Sequence, residues 1–200
     1  MPLVIDHKNI SADALGLRTF GQVLAHLQRE NRLVVHVLID GEEPDLERIS
    51  ALRSASTDSH TIFVETTEPQ TMAREVLDEV EHQIVAAEML GKDAGALMQS
   101  GQQVKAMENL AGCFKRWQHV QESVLKVSQL LRLDLGRLAL GDGRPLTAFF
   151  EAFSQQLRTI RDALESRDFV ALADVLNYEM PESTQSWREA VAAVRNVVDS

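Results

Sequence analysis

The sequence predicts an α+β protein in which a small N-terminal α/β module precedes a bundle of about four long antiparallel helices. Two observations carry this prediction. Up to residue 68, short apolar runs rich in β-branched residues alternate with short helical segments. From Pro69 onward, apolar residues recur every three or four positions, with few helix-breaking residues. The change of period divides the chain into a module over 1–68 and a helical bundle over 69–200.

The module begins with a strand, a polar loop and a helix. Leu3–Ile5 is a short β-like run, and the polar residues 6–16 leave room for a second short strand. Thr19 is followed three residues later by Gln22, which is the spacing of a capping box. We therefore expect a helix to begin directly after Thr19.

Two strands and a short helix are predicted for the rest of the module. Residues 33–39 are apolar and β-branched, and the turn residues Asp40-Gly41 follow them. Residues 44–53 have the spacing of a short helix, and residues 61–66 predict the final strand. The order of these elements resembles the β-grasp arrangement of ubiquitin-like proteins. Carrier members of that fold act through a C-terminal Gly-Gly, which is absent here, so the resemblance implies no carrier role.

The first two bundle helices are predicted over about 69–99 and 102–135. Gly91 and Gly95 weaken the first of them, each by about 1 kcal/mol relative to alanine. We therefore expect an interruption there, with Asp93 as the cap of a fresh start. Ser100-Gly101 is a typical helix stop.

The last two helices are predicted to begin after Pro145 and Asp168. Pro145 suits a first helical position, and Asp168 suits an N-cap. Pro181 falls inside the last helix, where a proline removes a backbone hydrogen bond. The apolar phase nevertheless continues past this proline, so we expect one kinked helix, or two nearly coaxial helices, rather than a break.

Composition and charge exclude several classes of function. The formal net charge is −10, and the lysines and arginines form no basic stripe. Binding to nucleic acid or to an anionic membrane requires positive charge, so neither partner is expected. No apolar run is long enough to span a membrane, and no secretory signal is apparent. With a single cysteine, Cys113, these features predict a cytoplasmic protein.

Residues that could carry chemistry are few, and no cofactor is expected. Glu79 and His82 form an E-x-x-H pair on one helix face, as in di-iron bundles, but the second copy is missing. A metal site would have to be irregular, with His119 as a further ligand. A solvated helix face is the plainer interpretation of these residues. Cys113 beside Phe114 is typical of a small buried residue rather than of a nucleophile.

Two motifs resemble those of a family of uncharacterised bacterial proteins. They are Ile39-Asp40-Gly41-Glu42 and the stretch Leu172–Pro181, which contains L-A-D-x-L-x-Y-E shortly before a proline. The resemblance implies an N-terminal strand-rich module, a helical bundle and, for some members, a flagellar gene neighbourhood. This chain departs mildly from the pattern at Asn177 and Met180.

The side chains before Pro181 allow two interpretations. Asp174, Tyr178 and Glu179 either satisfy backbone groups at the kink or form a polar recognition patch. Trp117 and Trp187 are expected to pack in the core, and either would be an interface anchor if exposed.

We conclude from the sequence that the chain is most consistent with a non-enzymatic module that binds a protein partner, as an adaptor or a chaperone-like protein does. The alternative is a metal-binding bundle or a metal-dependent enzyme that uses Glu79, His82 and His119. Homo-oligomerisation stays open at this point.

Overall fold

The computed structural model describes residues 3–45 and 49–200, with the side chains of 49–51 left aside. The chain forms two compact units, Met1–Met72 and Ala73–Ser200. A small mixed sheet in the first is followed by long helices in the second, which confirms the α+β class.

The first unit contains a four-stranded sheet in the order β2-β1-β4-β3. Its strands are β1 (Leu3–Ile5), β2 (Lys8–Ile10), β3 (Leu33–Ile39) and β4 (Ile62–Thr67). β1 pairs antiparallel with β2 and parallel with β4, and β4 pairs antiparallel with β3. The second short strand is therefore present, and the observed order is that of the predicted β-grasp-like module.

Helix α1 (Phe20–Arg29) covers one face of this sheet. The predicted capping box is confirmed, because Gln22 N–H donates to the Thr19 hydroxyl at 3.3 Å and Thr19 N–H donates back to Gln22 Oε1 at 3.2 Å. Burial of one side of α1 against the sheet forms the core of the unit. Its buried apolar residues include Leu3, Phe20, Val23, Leu27, Ile62 and Val64.

The short helix of this unit, α2, spans Ile49–Ser54 within the described residues. Pro44 and Asp45, where the sequence pattern places its start, are not helical. Leu46, one of its predicted apolar residues, lies outside the described residues.

The second unit consists of long helical segments. They are α3 (Pro69–Gln99), α4 (Gln103–Leu131), α5 (Leu146–Glu165), α6 (Phe169–Asp174) and α7 (Met180–Val198). A π-helical turn, Val175–Glu179, joins α6 to α7, so the helical backbone continues from Phe169 to Val198. The unit therefore has four long helical runs, and the last one passes through Pro181 without a break.

Ion pairs show that α3 and α7 are antiparallel. From one pair to the next, the residue number on α3 increases while that of its partner on α7 decreases. The pairs are Arg74–Asp199, Asp78–Arg195, Glu81–Arg195 and Glu88–Arg188. Similarly, Gln83 accepts from Arg116 and the Ala87 carbonyl accepts from Cys113, so α3 and α4 are antiparallel as well.

Two predicted helix boundaries were wrong. α3 runs unbroken through Gly91 and Gly95, and the fresh start expected at Asp93 does not occur. Both glycines are buried, so packing outweighs their low helix propensity. α4 ends at Leu131 rather than near 135, because Arg132 adopts a left-handed conformation with φ of 55°.

An aromatic cluster fills the centre of the second unit. Trp187 stacks on Phe150 with ring centroids 5.0 Å apart and meets Phe153 edge-on at 5.4 Å. The ring of Trp117 lies 6.0 Å from that of Trp187, and both tryptophans are fully buried. They are core residues, so neither can act as the exposed interface anchor that the sequence left open.

Replacing Trp187 tests this description of the core. W187A should lower the free energy of unfolding by about 3–5 kcal/mol, because it leaves a cavity among the aromatic rings. W187F should cost clearly less than W187A, because phenylalanine keeps one aromatic ring there and leaves a smaller cavity. It also removes an indole N–H that has no acceptor within the described part of the chain. Urea titration measures both, and equal costs for the two variants would contradict this packing.

Candidate functional site

The π turn lies directly before Pro181 and has a simple physical cause. In an α-helix the N–H of residue 181 would donate to the carbonyl of Asn177, but proline has no N–H and its ring crowds that carbonyl. The chain inserts one extra residue into the turn instead. Met180 N–H reaches back five residues and donates to the Val175 carbonyl. The helix therefore continues where a proline would otherwise interrupt it.

The apolar spacing around this turn suits a π turn better than an α-helix. Four buried residues follow one another at intervals of four: Leu172, Leu176, Met180 and Thr184. An α-helix has 3.6 residues per turn, so such a row would drift around its surface. A turn that holds one more residue brings the row back towards the core.

The opposite side of the same run is a line of exposed residues. Val170, Asp174, Tyr178 and Glu182 also follow at intervals of four, and all are exposed. The exposed fractions of Val170 and Tyr178 are 74% and 72%. Together with the neighbouring Glu179, we call these five residues the π-turn surface. It contains all three residues of the predicted recognition patch.

The carboxylates of the π-turn surface have no cationic partner among residues 3–45 and 49–200. Among the described residues, Asp174, Glu179 and Glu182 make no ion pair. Glu179 accepts only a long hydrogen bond of 3.5 Å, from the Gln156 side chain. Within the part of the chain that the structure describes, none of the three predicted residues makes a hydrogen bond to a backbone group.

Asn177 anchors the π turn on α3. A methyl carbon added to Gly95 would lie 2.7 Å from Asn177 Oδ1, closer than real contacts allow. The absence of a side chain at Gly95 therefore lets Asn177 rest directly on the α3 backbone. The glycine that weakens α3 locally is the residue that allows the π turn to pack.

A narrow crevice remains between α3 and the π turn. Its lining includes Gly91, Lys92, Met180, Pro181 and Thr184, and its volume is about 10 Å³. This volume suffices for about one water molecule and not for a metabolite. Recognition at this site would therefore take place on the exposed surface rather than in a pocket.

The residues of the predicted metal site do not form one. His82 Nδ1 lies 4.0 Å from Glu79 Oε2, and their side chains are 81% and 53% exposed. His119 is exposed on α4. In the described ranges, no group of three or more His, Cys, Asp or Glu side chains is arranged to hold a metal ion. These side chains form a solvated helix surface.

Cys113 has the character of a packing residue. Its thiol is buried and donates to the Ala87 carbonyl at 3.3 Å. Burial raises the pKa of the thiol to about 11, so the reactive thiolate is scarce at neutral pH.

A protein-family comparison matches residues 75–190 to the Domain of unknown function (DUF8042). The match covers more than half of the chain. The chain belongs to the DUF8042 family. No curated protein and no solved structure matches it. The matched residues include the whole π-turn surface, Gly95 and Asn177.

No helix in the described residues is both long and apolar enough to cross a membrane.

The second sequence motif, Ile39–Glu42, lies outside the DUF8042 region and forms a turn. Asp40 Oδ2 lies 2.6 Å from His60 Nδ1, and Asp40 Oδ1 accepts from Thr61 N–H at 2.8 Å. The hydrogen bonds from His60 and Thr61 hold the pKa of Asp40 below its ordinary value. The motif thus ties the end of β3 to the start of β4. No local pattern could indicate His60 as the partner of Asp40, because twenty positions separate the two residues in the chain.

The contact between Gly95 and Asn177 yields a double-mutant prediction. In the N177A background, G95A should stabilise the protein by about 1 kcal/mol, because alanine favours the helix and nothing opposes its methyl group. In the wild type, G95A should stabilise the protein less or destabilise it, because the methyl group displaces the Asn177 side chain. Urea unfolding should therefore give a coupling free energy of about 0.5 kcal/mol or more. Additive effects would show that Asn177 moves aside without cost.

The Glu88 ion pairs yield a prediction on acid stability. Hydrogen bonds from Lys92 and Arg188 hold the pKa of Glu88 below its ordinary value of 4.5, against the opposing effect of burial. Because the pKa of Glu88 is lower in the folded than in the unfolded protein, ionised Glu88 stabilises the fold at pH values above its unfolded-state pKa. This stabilisation is lost as the pH falls through the folded-state pKa. E88Q should thus lower the free energy of unfolding at pH 7. Below about pH 4.5, the free energy of unfolding of E88Q should fall less with pH than that of the wild type. E182Q, which removes an unpaired carboxylate, is the matched control and should leave the profile unchanged.

Proposed function

We propose that the protein is a non-enzymatic interaction module, adaptor or chaperone-like, whose π-turn surface binds a basic amphipathic helix of a protein partner. One observation carries the proposal: Tyr178 is 72% exposed in the midst of three carboxylates that have no ion pair among the described residues. Each step from this observation to the partner's chemistry follows from physical arguments.

Tyr178 has the properties of an interface anchor. Tyrosine is enriched among residues that dominate binding energy, because it buries a large area at little cost in side-chain entropy. Val170, two helical turns earlier, extends the apolar contact area along the same line. Tyr178 and Val170 therefore offer a partner two exposed apolar side chains on one helical line.

The carboxylates define the charge of the partner. Asp174, Glu179 and Glu182 would attract lysine or arginine side chains, and such rim charges chiefly raise the association rate and the specificity. The net charge of −10 acts in the same direction over a longer range. The partner is therefore expected to carry basic residues on either side of an apolar position.

The line of the surface favours a helix as the partner's structure. Twelve residues separate Val170 from Glu182, which corresponds to roughly 18 Å along a helix axis. A partner helix of about three turns could follow this line with apolar residues against Val170 and Tyr178.

We further propose a cytoplasmic location. Cys113 is buried as a thiol and is the single cysteine of the sequence, which suits a reducing compartment. The bacterial origin and the flagellar gene neighbourhood stay expectations from the family resemblance.

Affinity capture with matched variants tests the proposal. Tagged wild type, Y178A and the charge reversal D174K/E179K should be compared in native lysate, with quantitative mass spectrometry of the bound proteins. We expect both variants to lose at least about tenfold of one partner, since truncation of an anchor costs 2 kcal/mol or more. The capture should also weaken as salt is raised.

V104S is the control, because Val104 is 76% exposed on α4 and its loss removes a comparable apolar surface elsewhere. Thermal unfolding should show that all variants remain folded. If Y178A captured the same proteins as the wild type, or if V104S lost them equally, the π-turn surface would not be the binding site.

A further inference from the structure

Strand β3 lies at the edge of the sheet and has β4 as its neighbour on one side. On the other side, a single bridge joins Ile39 to Glu42 within the described residues. An edge strand offers unpaired backbone N–H and C=O groups to another chain.

The directions of the β3 backbone groups follow from their partners on β4. The Val64 carbonyl accepts from Asp6 N–H at 3.0 Å, and Thr66 N–H donates to Asp6 Oδ1 at 2.7 Å. These groups of Val64 and Thr66 therefore point towards β1 and away from β3. In an antiparallel pair of strands, two residues that face each other without exchanging hydrogen bonds both point their N–H and C=O groups away from the partner strand. Val37 lies opposite Val64 and Val34 lies opposite Thr66, so both face the free edge.

A β-bulge at Val35 keeps these outward groups at the spacing of a regular strand. Val34 and Val37 are three residues apart on β3, but their partners on β4 are two residues apart. The extra residue is absorbed by the bulge. An added strand with the ordinary period of two can therefore pair with both valines.

The pairing edge is closed at one end. Ile39 N–H donates to the Glu42 carbonyl at 2.9 Å, and Glu42 N–H donates back at 3.1 Å, so the outward groups of Ile39 are occupied. Pro44 follows and has no N–H to donate. With respect to the described residues, the free edge comprises Leu33 to Val37, which defines a register for an incoming strand.

The surroundings of the edge define the chemistry of its occupant. A groove of about 370 Å³ is lined by residues 34–37 with Glu43 and Pro44. Val35 is 48% exposed, and the Glu43 side chain is 79% exposed and 3.4 Å from His36. The exposed Glu43 carboxylate would attract a basic residue of an incoming chain.

We propose that the β3 edge binds an extended segment of a partner protein by strand addition. The segment pairs with Val34 and Val37 through its main chain, places a small apolar residue against Val35 and sets a lysine or arginine at Glu43. This surface belongs to the first unit, so it is independent of the π-turn surface and of its proposed partner.

NMR on the full ¹⁵N-labelled chain tests the free edge first. In the unbound protein, the amide protons of Val34 and Val37 should exchange at least about tenfold faster than those of His36 and Leu38, which face β4. The probe is the acetylated peptide Lys-Val-Thr-Val-Thr-Val-Lys. Its addition should shift and protect Val34 and Val37 and leave Tyr178 unchanged.

Two controls separate strand addition from charge attraction alone. The same peptide with both threonines N-methylated lacks the N–H groups that pair with Val34 and Val37 and should bind at least about tenfold more weakly. E43K should reject the lysine peptide and accept one with glutamates in place of the lysines. Equal binding of the N-methylated peptide would overturn the proposal. Protection of Val34 and Val37 that grows with protein concentration would overturn it in favour of a second copy.

Discussion

The close contact between α3 and the π turn is the constraint on which the helical unit depends. Asn177 can rest on α3 because Gly95 has no side chain, while the nearby Gly91 is buried where α3 meets Cys113 of α4. The ion pairs between α3 and α7 share this antiparallel register, from Glu88–Arg188 at one end to Arg74–Asp199 at the other. This packing buries Trp187 of α7 in the aromatic cluster and leaves Tyr178 exposed to solvent on the opposite side of the helical run.

The two surfaces proposed for binding use different physical chemistry. The π-turn surface presents side chains: an aromatic ring, a valine and three carboxylates along one helical line. The β3 edge presents the main chain, and its side chains serve mainly to set charge and register. The π-turn surface selects a partner by its apolar and basic side chains. The β3 edge selects a partner by whether its main chain can adopt an extended strand. A protein with both could hold two segments at once, which is a useful property in an adaptor.

Local features were predicted well from the sequence, and the reason differs from element to element. The capping box at Thr19 and Gln22 acts within one turn, so its residues alone specify it. The Asp168 cap is equally local, and its side chain accepts from Ala171 N–H at 3.0 Å. The apolar phase through Pro181 indicated a continuous helix, and the structure has one. The break expected at Asp93 was wrong because propensity is a weak local term that burial of the glycines outweighs.

The sequence by itself determined the α+β class, the order of strands and helices, and the stretch that carries Asp174, Tyr178 and Glu179. Tertiary structure alone decided that these side chains are exposed, that both tryptophans are buried, and that the proline is accommodated by a π turn. It also decided the pairing of Asp40 with His60 and of Gly95 with Asn177. Periodicity and caps are properties of neighbouring residues and can be read along the chain. Contacts between residues that are distant in the chain depend on how whole elements pack, and no local pattern encodes them.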